Sequence, residues 1–321
     1  MKLLTVRPTY GRAVAAMILS AACWGLATVA SKGVLDYVPP FSLLVGQLGA
    51  SVLFLWCVLL LLGRLPRFDR AARRASLAGL LEPGLAYAFG VYGLTLTSAS
   101  NTSLIGTTEP LIILVIAWIF LGQRTGIQGL LAILTAMVGV VLVSVFGGEE
   151  GLRSSSSILG DGLEVLATGF AALYVIVTSR LVVQFSPVTL AALQQSVGLV
   201  FACTIWMVAV GFGAEELPST LSPFVLLVVI LSGIVQYAGA FWFYLYGLQV
   251  LPASFAGIFL ALIPVFGITG ATLFLGEGVS LVQLGGCLLV ILAVIWFTRS
   301  RPVVQGDAAH THLKPTEVTY E

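Results

Sequence analysis

One stretch of this sequence occurs twice. Tyr92 to Gly122 reads YGLTLTSASNTSLIGTTEPLIILVIAWIFLG, and Tyr246 to Gly276 reads YGLQVLPASFAGIFLALIPVFGITGATLFLG. The offset from Tyr92 to Tyr246 is 154, and it holds without a gap. Tyr92-Gly93-Leu94 falls on Tyr246-Gly247-Leu248, and Ala99-Ser100 on Ala253-Ser254. Pro110 falls on Pro264, and Phe120-Leu121-Gly122 on Phe274-Leu275-Gly276. A chain with such a repeat is built from two copies of one unit, and this limits its fold more than any other feature.

The unit is a membrane unit. Only 9% of the 321 residues are charged, 59% are hydrophobic, and the mean hydropathy is +1.06. Water-soluble domains carry about 25% charged residues. A spanning helix needs about 20 mostly apolar residues. Ten segments meet that length: 13–34, 40–62, 76–97, 99–121, 127–146, 160–179, 188–212, 222–248, 252–276 and 281–298. Isolated strands leave backbone groups unpaired in lipid, and a barrel would show short segments of alternating polarity. The predicted fold is therefore an all-α integral membrane protein with ten transmembrane helices.

Lys and Arg set the predicted orientation. With the N-terminus in the cytoplasm, 13 of the 15 basic residues fall inside, among them Arg64, Arg67, Arg70, Arg73, Arg74, Arg124, Arg180 and Arg299. Lys32 and Arg153 fall outside, beside the acids Asp36, Glu149, Glu150, Glu215 and Glu216. Both termini are then cytoplasmic. Five helices per unit is an odd number, so the two units must be inverted. Residues 13–146 form the first repeat, 147–159 a Gly- and Ser-rich linker, 160–298 the second repeat, and 299–321 a disordered cytoplasmic tail. The first thirty residues also have the layout of a secretory signal, with Lys2, Arg7 and Arg12 before an apolar run. The first repeat needs that run as its first helix, which favours its retention.

With Ala22-Cys23-Trp24-Gly25 in the first helix, Glu109-Pro110 in the fourth and the Phe-Leu-Gly ends of the fourth and ninth, the chain resembles the drug/metabolite transporter superfamily. Within it the similarity is to the EamA-type branch, over residues 13–298. Leu275-Gly276-Glu277 is close to the ending usual in that family; Gln123 replaces the Glu there in the first half, and Ile263 stands before Pro264. The resemblance implies a transporter of small metabolites. It also implies Trp24 and Tyr174 as cavity residues.

Glu109 is the sharpest chemical signal. From the predicted helix start it lies about 15 Å deep at 1.5 Å per residue, near the middle of a core about 30 Å thick. A carboxylate there faces a cavity or a partner, and no Lys or Arg lies at similar depth. It reads as a substrate-amine contact or a proton-exchange site; a neutral acid bonded to a neighbouring helix is the structural alternative. Glu82, before Pro83 and nearer the cytoplasm, is a weaker candidate for proton coupling. Pro83, Pro110 and Pro264 lie inside predicted helices, and each removes one backbone hydrogen bond. Pro110 and Pro264 are equivalent in the repeat, so their helices should bend at matching places. Matched interruptions point to a transporter site. Asp161 and Glu164 read as acids favoured at a helix start. Within spans, Gln47, Gln194, Gln195 and Gln236 are polar. Tyr237, Phe241 and Tyr244 share one helical face, able to stack a planar or cationic group or simply to pack.

The predicted substrate-binding set is Trp24, Glu109, Tyr174, Gln236 and Tyr237. No phosphate-binding loop, zinc-ligand spacing or nucleophile–base set appears in the spans, and His310 and His312 sit in the tail. Cys23, Cys57, Cys203 and Cys287 each lie in an apolar run and read as small hydrophobes. No cofactor, metal, catalytic residue or nucleic-acid partner is expected. The expected partners are a small-molecule substrate, the lipid bilayer and protons, and a homodimer stays open. The expected function is secondary transport, as an exporter of metabolites such as amino acids or amines. A facilitative uptake permease is the alternative of the same fold; a lipid-acting enzyme and a membrane scaffold are the remaining classes.

Overall fold

The computed structural model describes residues 9–97, 99–123, 125–145, 157–216, 221–276 and 278–300. Most of the predicted linker, Glu277, and the tail beyond Ser300 lie outside them. The described residues contain helices and no strand. In chain order these are α1 (Tyr10–Lys32), α2 (Pro40–Leu61), α3 (70–96), α4 (99–121), α5 (Ile127–Val145), α6 (Ile158–Leu181), α7 (Pro187–Gly211), α8 (Pro223–Leu248), α9 (253–275) and α10 (Leu281–Ser300). Among the described residues, nine helices are long and apolar enough to cross a membrane. The exposed side chains along them are large and apolar, such as Leu53, Val200 and Leu273, as a lipid-facing surface requires.

The stretch that does not qualify is α3. It runs as a helix Arg70–Ser76, a 3₁₀ turn Leu77–Leu80, a kink at Leu81–Leu85 and a helix Ala86–Leu96. The span expected at 76–97 as one continuous helix is an interrupted one. Glu82 is extended at φ −148° and ψ 127°, and Pro83 has no N–H with which to continue the helix. Elsewhere the helix starts follow side-chain chemistry. Ser186-Pro187 and Ser222-Pro223 open α7 and α8, each serine accepting the N–H three residues on, at 3.2 Å in both cases.

Helices pack in pairs drawn from both halves. α1 lies against α8 and α9, and α6 against α3 and α4. α2 contacts α7 and α8, while α7 contacts α2 and α3; α5 lies along α10. Replacing each helix by the one five later returns the same set of contacts. The tightest crossings obey the same exchange. Gly79 of α3 presses on the backbone of Gln194 in α7. Gly233 of α8, at the same offset of 154 from Gly79, presses on the backbone of Gln47 in α2; a Cβ there would come within 2.5 Å of the Gln47 carbonyl oxygen. Only a hydrogen fits at either crossing.

The helix ends meet in two groups. In one, Gln123 after α4 accepts from the Ser254 backbone N–H at 3.3 Å and its hydroxyl at 3.2 Å. In the same group Arg180 donates to the Phe120 carbonyl at 2.6 Å, and Gln249 to the Val182 carbonyl at 3.2 Å. In the other group Glu215, between α7 and α8, accepts from the Phe41 and Ser42 N–H groups at 2.9 and 2.7 Å, capping α2. The Ser42 hydroxyl also donates to Glu215. Ser157 N–H reaches the Leu96 carbonyl at 3.3 Å, and the Thr97 hydroxyl donates to Asp161. Each group joins ends that the charge reading puts on one side.

Candidate functional site

α4 and α9 each break once, at the same register. The first has helices Ala99–Gly106 and Glu109–Leu121, the second Ala253–Leu260 and Ile263–Gly270. The interruptions, Thr107-Thr108 and Ala261-Leu262, are again 154 apart from Thr107 to Ala261. Pro110 and Pro264 therefore sit in the first turn after a break, not in a helix interior as the sequence suggested. A proline there costs little, because its missing N–H is one that the first turn does not use. In α4 the threonines ease the break. Their hydroxyls donate to the Leu104 and Ile105 carbonyls, both at 2.6 Å.

A cavity of about 290 Å³ lies beside these breaks. α1 contributes Trp24 and Thr28, α3 contributes Glu82 and Tyr87, and α4 contributes Glu109. The rest of the lining is Tyr174 and Val175 from α6, Gln236 and Tyr244 from α8, and Leu260 and Ile263 from α9. Two further cavities adjoin it. One of about 350 Å³ runs between the breaks, past Gly106 and Thr107 to Met137, Val140 and Ser144 of α5. The other, of about 320 Å³, runs between α3 and α6 past Thr102, Glu164 and Thr168. Glu109 lines all three. Both side cavities extend toward the end where α4 and α6 begin. At the opposite end lie the Gln123–Ser254 and Arg180–Phe120 contacts.

Most polar groups of the walls are already occupied. The Tyr174 hydroxyl donates to Gln194 at 2.8 Å, and Gln194 donates to Thr178 at 3.2 Å. Gln236 accepts from Ser31 at 3.3 Å. The Tyr87 hydroxyl interacts with Gln236 and Trp24. Glu82 and Glu109 have neither a hydrogen-bond donor nor a cation among the described residues. Three other glutamines of the core are structural. Gln47 bonds Ser31 and Ser232, both at 2.8 Å, and Gln195 accepts from Ser51 at 2.5 Å while donating to the Tyr237 carbonyl at 2.8 Å. Gln194 holds Tyr174 as described.

Of the five residues expected together, Trp24, Glu109, Tyr174 and Gln236 share the cavity wall, and Glu82 joins them. Tyr237 does not. It is 1% exposed and sits behind Tyr87, ring centroids 5.3 Å apart, and beside Phe241 at 6.3 Å. The cause is the π-turn Ile234–Gly239, which inserts a residue into the helical register. Gln236 and Tyr244 then share the cavity face. Sequence reading also missed Tyr87 and Thr28 as wall residues, and offered Tyr244 only as part of a helical face with Tyr237 and Phe241. One signal was present: from Glu82 to Gln236 the offset is the repeat's 154, and from Glu109 to Ile263 it is the same. Glu164 is more than an acid at a helix start. It is 5% exposed, accepts from Thr102 at 3.0 Å and lines the cavity between α3 and α6. The sequence reads all four cysteines as small buried hydrophobes; Cys57 is exposed on α2, and Cys23, Cys203 and Cys287 are half-buried.

The EamA-like transporter family matches this chain twice, over residues 11–145 and 158–299. An uncharacterized transporter of Archaeoglobus fulgidus is 25% identical over 290 residues, covering 89% of this chain and 98% of that protein. The uncharacterized transporter YvbV of Bacillus subtilis is 26% identical over 282 residues, covering 84% of this chain and 86% of its own. A solved crystal structure, 16% identical, superimposes with a TM-score of 0.75 over 90% of this chain and 97% of that one. That last likeness is one of fold.

Proposed function

We propose that this chain, which belongs to the EamA-like transporter family, is a secondary transporter that exports small metabolites, amino acids or amines, by alternating access with proton exchange at Glu109. It is a multi-pass protein of the cell membrane. The observation that carries the reading is Glu109, a carboxylate with no cation beside it among the described residues, placed at a helix break where three cavities meet. A carboxylate inside a membrane is costly and marks a substrate or ion pathway. Broken helices at matched repeat positions supply the mobile wall that such a pathway needs. Trp24, Tyr174 and Gln236 complete the binding wall in this reading, and Glu82 is the second proton-coupling group.

The same proposal includes two inverted five-helix repeats, with α3 as the tenth span and both termini cytoplasmic. The two groups of helix ends support it, because each joins segments that an alternating path puts on one face. The cavities then extend toward the outer face, and the Gln123–Ser254 contact closes the inner one. A periplasmic reporter fused after Ser154 should be active and one fused after Arg70 inactive; the reverse pattern would overturn the orientation. For transport, the protein is reconstituted in liposomes and tested with labelled amines and amino acids under a pH gradient. Glu109→Gln should abolish gradient-driven flux while thermal stability stays near wild type, since Gln keeps the shape and hydrogen bonds of a neutral acid. Wild-type flux in that variant across the pH range would remove Glu109 from the coupling.

A further inference from the structure

We infer that the face carrying Arg64, Arg67, Arg70, Arg73 and Arg74 is a binding surface for the headgroups of anionic phospholipids. Five of the chain's 15 basic residues fall in one short stretch between α2 and α3, RLPRFDRAARR. All five are exposed, and no side chain among them has an acid or a carbonyl partner among the described residues. The one acid of the stretch is Asp69. Its carboxylate accepts the Ala72 N–H at 2.8 Å, capping the helix Arg70–Ser76. Guanidinium groups left without partners attract anions, and each can meet a phosphate through two N–H groups at once.

The stretch is also folded back onto the membrane end of α2. That helix ends at Leu61, and Gly63 turns the chain at φ 61°, with the Arg64 N–H bonded to the Leu59 carbonyl at 2.9 Å. The Phe68 ring then stacks on Trp56, centroids 5.9 Å apart at 22°. Trp56 lies about 7.5 Å back along α2 from Leu61, at 1.5 Å per residue. Its indole N–H donates to Ser196 of α7 at 2.9 Å. Beyond the stack, Ala72 and Ala75 are fully buried, and their helix lies against α7. Exposed Leu61, Leu62, Leu65 and Phe68 are interleaved with the arginines. Such apolar side chains favour the acyl boundary, and arginines among them lie at headgroup depth with their stems along apolar surface. A phospholipid meets both kinds of side chain, whereas an acidic protein would meet only the charge. The orientation of the chain accounts for basic residues on this side, but it does not require a loop folded onto its own span. Nor does the repeated path require arginines: the positions 154 later are Pro218, Leu221, Phe224, Leu227 and Val228. Bound headgroups hold the first segment of α3 on α7, and that segment leads to the break at Glu82.

The full chain in detergent is titrated with phosphatidylglycerol, phosphatidylcholine or inorganic phosphate, and binding is read by thermal shift and native mass spectrometry. Phosphatidylglycerol should bind at least about tenfold more tightly than phosphatidylcholine. The gap should close in about 1 M salt, where the screening length is about 3 Å. Arg73→Gln should weaken phosphatidylglycerol about fivefold, and Arg73→Gln with Arg74→Gln about fivefold again, the effect of one basic residue at an anionic surface. Should the double variant fail to fold, the lipid and salt comparisons on the wild type decide. Equal binding of the two lipids, or a gap that salt does not close, would overturn the inference. So would wild-type binding of phosphatidylglycerol in the double variant. Inorganic phosphate that stabilises as well as phosphatidylglycerol would replace the membrane contact by a free-anion site. Polyglutamate that displaces phosphatidylglycerol would give the face to an acidic protein segment, and overturn the inference as well. None of these outcomes touches Glu109, so the transport reading is tested separately.

Discussion

In the first half, positions 82 and 109 bring two carboxylates to the cavity. In the second half, the positions 154 later bring Gln236 and Ile263 to the same cavity. The breaks before Glu109 and Ile263 correspond, and so does the place of the kink at Leu81–Leu85 and the π-turn at Ile234–Gly239. At that second place the halves part: Glu82 is extended and interrupts α3, whereas α8 stays helical through Gln236. What repeats is the path through the break of α4 and α9; what differs is the backbone at Glu82 and the charge at both positions. Four carboxylates around one small cavity would repel one another and stay largely protonated. Keeping the acids on one half leaves the lining with two carboxyl groups from that half and an amide and an apolar side chain at the matching positions of the other.

This comparison can be broken by moving the charge. Glu109→Ile should lower proton-driven flux about a hundredfold, a loss of roughly 3 kcal/mol for a charge-assisted contact. Adding Ile263→Glu to that variant should recover part of it, because the second site faces the same cavity. No recovery in the flux assay would mean that the two breaks are not interchangeable. Next in size are the crossings. Gly79→Ala and Gly233→Ala each push a methyl into backbone, and each should cost about 1–3 kcal/mol in unfolding free energy. A large loss at one and none at the other, read by thermal denaturation in detergent, would end the claim of matched packing. Glu82→Gln should reduce flux only several-fold, about 1 kcal/mol, because Glu109 still borders all three cavities. The smallest effect is at Tyr244. Tyr244→Phe should leave thermal stability unchanged or raise it by less than about 1 kcal/mol, since the buried hydroxyl it removes has no hydrogen-bond partner among the described residues.

Much of the path could be read from the repeat alone. Tyr92 and Tyr246 fix a register, and that register carries Thr107 onto Ala261 and Glu82 onto Gln236. Apolar run length located the spans but not the interruption of α3. Hydropathy averages over residues, and Glu82 is one extended residue in an apolar stretch. The wall of α8 was misread for a related reason. A face drawn with 3.6 residues per turn puts Tyr237 with Tyr244, while the π-turn brings Gln236 forward instead. The prolines were the right markers, offset by a turn: Pro110 and Pro264 start segments. That the Tyr244 hydroxyl has no partner among the described residues had no sequence signal, because whether a group is paired depends on every helix around it.

Glu215 follows α7, yet it holds the first N–H groups of α2. Trp206 of α7 adds a bond of 2.9 Å to the Ser42 hydroxyl. α2 and α7 also touch each other, and α8 touches α2. These three helices come from both repeats, so at that end of the molecule they make one plate. A swing of the first repeat as a block against the second would have to tear this plate. On the alternating-access proposal the seam of opening would run elsewhere, along the breaks of α3, α4 and α9. Motion would then cross the division between the two repeats, and each repeat would lend helices to both the moving and the standing part.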